Sequence, residues 1–298
     1  MSTLRKSKAT IEPSQKQLVK LARRRLEKYV SIPPRLLVSD RANNLHDIRV
    51  WGRRLQQIVR VLYPKPRGGK SRRIIRSLRE VRRDLSTCRN LDVTLTLLEE
   101  KLDSASAGTT RDAWDCVREY TLKLRAKEFA RARKQVRRMD TNDFIQKTQR
   151  LLRAGKAENG LGSNFRQSLD RSLTQWHEAL DQAKSKCDPE CLHSLRLAGK
   201  RLRYRWELLA ELGEGDAKSR IKSLKALHDK LGVWHDRHVL SQFLEEFIGR
   251  PNSLRDHPDF YRALELEMES DRRDNDAAIG GILKQAENFC LRQTQPVA

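Results

Sequence analysis

Apolar residues along this chain recur at helical spacing almost throughout, and sustained period-two alternation is missing. The fold class read from this pattern is all-α. Helices are predicted over Ser14–Ser31, Asn43–Leu62, Ser71–Leu102, Thr110–Met139, Thr141–Arg153, Ser163–Lys186, Pro189–Leu212, Asp216–Ile248 and Arg255–Arg292. Pro33-Pro34, Pro64-x-Pro66 with Gly68-Gly69, Gly213-x-Gly215 and Pro251 mark loops. Asp188-Pro189-Glu190 reads as a helix start with proline in its first turn.

One segment of this pattern occurs twice. Leu45-His46-Asp47-Ile48-Arg49-Val50-Trp51-Gly52-Arg53-Arg54-Leu55 returns as Leu192-His193-Ser194-Leu195-Arg196-Leu197-Ala198-Gly199-Lys200-Arg201-Leu202. On a helix, Leu45, Ile48, Gly52, Leu55, Val59 and Leu62 form an apolar seam, and His46, Arg49, Arg53 and Arg60 line the neighbouring face. A second pair of blocks follows in the same order. Leu78, Val81, Leu85, Ser86, Asn90 and Val93 align with Leu224, Leu227, Leu231, Gly232, Asp236 and Val239. Two ordered blocks argue for internal duplication. The expected organisation is a basic arm over 1–13, a helical bundle over 14–158 and a second over 159–298, joined near Ala154–Asn164, where Gly155, Gly160 and Gly162 cluster. About four helices fall in each half, which suggests two four-helix bundles packed together. A break inside the third helix of each half is expected, at Ser86–Asn90 and at Gly232–Asp236.

Charge turns this architecture toward a ligand. Over 298 residues, 62 Lys and Arg face 39 Asp and Glu, a formal net charge of +23. Such an excess argues for a polyanionic partner: nucleic acid, an anionic membrane or another polyanion. No run approaches the roughly 18 apolar residues of a membrane span. Met1–Thr10 has no apolar core of a secretory signal, and five cysteines, an odd number, fit free thiols in a reducing compartment. The expected location is the cytoplasm.

The cations are arranged in rows. Arg72, Arg76, Arg79 and Arg83 share a narrow wedge opposite Ile74, Leu78, Val81 and Leu85. Arg111, Arg118 and Arg125 follow at sevenfold spacing, with Arg131, Arg133, Lys134, Arg137 and Arg138 beyond. The second half adds Lys200, Arg201 and Arg203, then Arg220, Lys222 and Lys225. Arginine dominates, and its planar fork grips phosphate oxygens bidentately. A charge run on a single helix is most often a solvated face, and a helical histidine beside an apolar seam is most often a packed core residue. Repetition of the rows, and of His46 as His193, favours an anion-binding surface. The surrounding cations should depress protonation of both histidines.

These residues resemble the CHAD domain family, the conserved-histidine α-helical domain. The resemblance rests on His46-x-x-Arg49-Val50-x-x-Arg53-Arg54-Leu55 and Arg89-Asn90-x-Asp92-Val93. In the second half it rests on His193-x-x-Arg196-x-x-x-Lys200-Arg201-Leu202-Arg203-Tyr204-x-x-Glu207 and Leu231-Gly232-x-x-x-Asp236. It spans about residues 14–292. It implies two four-helix bundles related by a pseudo-twofold axis around a basic groove or pore, and binding of inorganic polyphosphate, often at polyphosphate granules. The positions carried over are His46, Arg49, Arg53, Arg54, His193, Arg196, Lys200, Arg201 and Arg203. Arg72, Arg76, Arg79, Arg83, Arg118 and Arg125 join them from the basic rows. The chain departs from the family pattern at Leu85-Ser86-Thr87, where Gly usually follows Leu, and at the His-rich His235-Asp236-Arg237-His238. The β-barrel triphosphate tunnel domain fused to some family members is not found in the sequence.

The expected function is therefore a stand-alone polyphosphate-binding module, with no catalytic residues, cofactor or metal site. Adventitious nucleic-acid binding can accompany that role, and a nucleic-acid-binding helical protein is the first alternative function, although no recognition helix or base-stacking repeat is evident. A metal-dependent phosphohydrolase built on His193, His228-Asp229 and His235-Asp236 is a weaker one, because Arg82 and Arg89 stand opposite His228 and His235 in the repeat. Cys187-x-x-x-Cys191-x-His193 has loose spacing for zinc and no evident fourth ligand.

Overall fold

The protein is described from a computed structural model covering residues 14–64, 69–154, 161–213, 217–250 and 257–294. The expected arm over 1–13, Gly155 and Gly160 of the expected junction, and the loop markers Pro66, Gly68, Gly215 and Pro251 lie outside the described residues. The order is α1 (Gln15–Val30), α2 (Pro33–Val38), α3 (Ala42–Leu62), α4 (Gly69–Asp84), α5 (Ser86–Ser104), α6 (Thr109–Arg138), α7 (Thr141–Arg153), α8 (Leu161–Lys186), α9 (Pro189–Glu211), α10 (Ala217–Ile248) and α11 (Pro258–Thr294). Among the described residues there is no strand.

Local chemistry starts several helices where the sequence predicts. Ser14 and Gln17 form a reciprocal capping box on α1. Asp188 accepts a hydrogen bond from the Cys191 backbone N–H at 2.6 Å, and Pro189 opens α9.

Two expectations are corrected. Pro33-Pro34 open the short helix α2 rather than a loop. A proline needs no N–H partner in a first turn, and Leu36, 1% exposed, anchors the element in the core. The expected break at Gly232–Asp236 is absent, and α10 runs through it. A glycine inside a helix costs about 1 kcal/mol relative to Ala, which the burial of Leu231 and Trp234 on either side offsets. The first-half break does occur: Leu85 separates α4 from α5, and the Ser86 hydroxyl donates to the Arg83 carbonyl at 2.5 Å.

Two apolar cores hold the helices. The larger draws on α1–α4, α7, α8 and α9, with Leu45, Ile48 and Leu55 matched by Leu192, Leu195 and Leu202, all fully buried. The smaller gathers Leu98 and Leu102 of α5, Trp114 and Val117 of α6, Leu240, Leu244 and Phe247 of α10, and Leu264 and Met268 of α11. Four helices enter both. The other ends of α5, α6, α10 and α11 supply Cys88, Phe129, Leu227 and Phe289 to the larger core.

The two motif glycines bring their helices close to an aromatic ring. A Cβ on Gly52 would sit 3.1 Å from the Tyr29 ring of α1, and one on Gly199 would sit 2.8 Å from the Trp176 ring of α8. Trp176 is fully buried and its indole N–H donates to Cys290 Sγ at 3.2 Å, so it has little room to retreat. Overpacking of this kind costs about 1–3 kcal/mol, against a gain of about 1 kcal/mol from helix propensity. We expect Gly199→Ala to lower the thermal midpoint clearly and Gly52→Ala to leave it nearly unchanged. Equal midpoints for the two variants in parallel melts would show that the contact at Trp176 is not a packing constraint.

Candidate anion-binding groove

The faces of α3 and α9 that carry the repeated cations meet. Arg53 Nη1 donates to the Tyr204 hydroxyl at 3.1 Å, and the guanidinium stands 5.6 Å from the centre of that ring. Arg49 Nη1 donates to the Arg82 carbonyl at 2.6 Å, which ties α3 to the last turn of α4. Arg196 lies 3.9 Å from Asp236 of α10, and His193 Nδ1 lies 3.5 Å from His235 Nδ1. Arg89 of α5 acts on His46, Arg49 and Asp236.

Electrostatics binds these side chains into one cluster. Burial, and then Arg196, Arg53 and Arg203, push the Lys200 ammonium down to about 7. Burial and neighbouring arginines hold Arg49 and Arg82 at about 10. The same two causes lower His228 and His235 to about 3, so both are neutral at physiological pH. His46 and His193 are also lowered, first by burial and then by the surrounding cations, as the sequence predicts. Burial raises the Asp236 carboxyl although Arg196, Lys200 and Arg89 oppose it.

Not every predicted residue joins the cluster. Arg54 turns to Glu207 at 3.3 Å and lies over Trp51. Arg203 shares the other Glu207 oxygen at 3.3 Å, so one carboxylate partly answers two cations. Arg118 is paired with Glu99 and Asp115. Arg125 donates to Asp92 at 2.7 Å and to the Asp40 carboxylate and carbonyl, which fastens α6 to α5 and to the segment before α3. Arg72, Arg76 and Arg79 line a separate cavity, Arg83 is exposed beside Asp84, and Arg201 is exposed close to Arg60.

The sequence reading left out Arg82, Arg89, Tyr204 and Asp236 as site residues. A signal was available. Arg82 and Arg89 lie on either side of the α4–α5 break and stand opposite His228 and His235 in the repeat, and all four interact with residues of this cluster. Among the described residues, no group of three or more His, Cys, Asp or Glu is placed to hold a metal ion.

The chain's residues 20–245 match the CHAD domain. The chain belongs to the CHAD domain family. Among solved structures, it is similar to the CHAD domain from the plant Ricinus communis, with a TM-score of 0.64 and 17% identity over 94% of this chain and 96% of that one. That likeness shows a shared fold. A comparison with curated proteins returns no match. In this CHAD chain the histidine of each motif copy stands among cations of its own copy, and no helix among the described residues is long and apolar enough to cross a membrane.

Lys200 sets a testable pH dependence of stability. Its folded-state pKa, about 7, lies below the ordinary value of 10.5, so between these values the unfolded chain binds more protons. Stability should therefore rise with pH from about 7 toward 10.5, and the contribution is flat below 7. Urea unfolding of the free protein at pH 7 and pH 9 should show this gain, and Lys200→Met should lose most of it. An unchanged difference in Lys200→Met would place the effect elsewhere.

Proposed function

We propose that this CHAD protein binds inorganic polyphosphate along the groove between α3 and α9 and does not hydrolyse it. The observation that carries the reading is the junction at Arg53 and Tyr204, where cations of both motif copies converge with few carboxylates among them. Each non-bridging phosphate oxygen accepts from a guanidinium, ammonium or imidazole N–H. A chain of phosphates reverses the local field and relieves the repulsion that depresses Lys200, while release of its counterions offsets part of the ordering cost.

The ring at the Arg53 junction supports a ligand without bases. Tyr204 is 5% exposed, too buried to stack on a nucleobase. Association with polyphosphate granules in the cytoplasm follows as an expectation of this reading.

Charge reversal tests the groove. Arg53→Glu/Arg196→Glu should weaken long-chain polyphosphate binding at fixed salt by about 100-fold or more, because charge-assisted contacts are worth about 1.5–3 kcal/mol each. Circular dichroism should stay helical. Wild-type affinity in that variant would sink the proposal, as would tighter binding of tRNA or duplex DNA than of polyphosphate in direct competition. Incubation with polyphosphate and Mg²⁺ or Mn²⁺ should release no phosphate above the variant's background. Release abolished by His235→Ala would instead mark a hydrolase.

The groove also predicts two pH windows. A bound polyanion raises the pKa of Lys200 above about 7, so binding takes up a proton and tightens as pH falls toward 7. His46 and His193, lowered in the free protein from 6.5, tighten binding further as pH falls through and below that value. Lys200→Met should flatten the upper window and His46→Gln/His193→Gln the lower one. Salt-matched titrations with wild-type slopes in both variants would show that these groups do not couple to the ligand.

A further inference from the structure

Beyond the groove, four helices surround a cavity of about 490 Å³. Arg60 of α3, Arg72, Arg76 and Arg79 of α4, Arg171 of α8 and Arg205 of α9 line it, and no carboxylate is among its lining residues. A solvated arginine row on α4 alone would be unremarkable as a surface feature. Here Arg171 of α8, bonded to Gln167 of its own helix, and Arg205 of α9 line the same cavity, which a solvated face on α4 does not require.

The inner wall carries the clearest sign of an anion site. Arg205 is half-buried, and its Nη1 is buried without a hydrogen-bond partner. A buried donor left unsatisfied carries a desolvation cost that an anion's oxygen would remove. Burial, followed by Arg60 and Arg25, holds Arg205 at about 10, and burial with Arg79 and Arg201 lowers Arg60. The Tyr63 hydroxyl donates to the Leu151 carbonyl at 2.6 Å and is already committed. Ligand contacts would therefore come mainly from guanidinium groups.

We propose that this cavity is a second anion site, distinct from the groove, that takes a compact oligophosphate of at least three linked phosphates. Guanidinium forks on opposing walls match tetrahedral oxyanions bidentately. A single phosphate engages one wall, whereas three linked groups reach several. The volume lies in the range of small-molecule pockets, about 300–1,000 Å³. Arg82 stands between the two sites and feels Arg49 and Arg53 on one side and Arg60 and Arg79 on the other. The inference does not rest on the groove reading, because none of the groove's motif histidines or Lys200 lines the cavity.

Calorimetric titration with tripolyphosphate on the full chain tests it. Arg76→Ala/Arg171→Ala removes two exposed guanidinium groups from opposing walls, and Arg72→Ala/Arg79→Ala is a second variant of the same cavity. Each should weaken tripolyphosphate binding at least tenfold with an unchanged thermal melt. Arg53→Ala/Lys200→Ala should keep a tripolyphosphate site of wild-type affinity, and orthophosphate should compete only weakly. Full tripolyphosphate affinity in both cavity variants, or its loss in the groove variant, would overturn the cavity site. Long-chain polyphosphate titrated into the groove variant judges the groove separately, so the two readings fail independently. If the cavity variants also weaken the long chain, the cavity holds a stretch of that polymer; if they weaken tripolyphosphate alone, it holds the free short form.

Discussion

Placing several cations side by side at the partly buried junction of α3 and α9 is electrostatically unfavourable, and the rest of the architecture has to supply the force that holds them there. Desolvation and mutual repulsion both disfavour Arg49, Arg82 and Lys200 in their charged forms. What opposes them is the apolar seam on the reverse of the same helices, where Leu45, Ile48 and Leu55 and their counterparts Leu192, Leu195 and Leu202 are fully buried. Fully burying one such side chain contributes about 1.5–3 kcal/mol. Seam and basic face are thus two sides of one helix.

A second set of contacts fixes the orientation of those helices. Arg25, 2% exposed, donates from α1 to the Arg54 carbonyl of α3 and to Glu211 of α9. Glu207 joins Arg54 to Arg203. Cations in this protein therefore divide into two groups. Some have carboxylate or carbonyl partners and position helices, as Arg25 and Arg125 do. Others crowd against one another, as Lys200 does against Arg196 and Arg53, and Arg49 does both, bonding the Arg82 carbonyl while it stands against Arg53.

Much of the fold was legible because helical periodicity is a local property. The seam, the glycines and most helix starts follow from spacing and capping alone. The sequence failed where the outcome depended on partners far along the chain. Gly232 looked like a break, but the burial of Leu231 and Trp234 keeps α10 whole. Pro33-Pro34 looked like a loop because nothing local reveals that Leu36 reaches the core. Arg118 and Arg125 shared the spacing of a ligand row, and only the packing of α6 against α5 shows that Glu99 and Asp92 meet them. Arg205 was invisible for the converse reason. It sits one residue from the buried Tyr204 on one side and the buried Trp206 on the other, and its value lies in what α4 and α8 bring to it.

The helices that enter both cores have a consequence for biosynthesis. The apolar residues of α11 fall in two groups, Leu264 and Met268 in the smaller core and Ile282, Ala286 and Phe289 in the larger. Chains emerge from the ribosome N-terminus first and tend to fold in units as those units become complete. Here neither core has all its walls until α11 has been made. Until then the nascent chain carries both apolar surfaces incompletely covered, beside its dense positive charge.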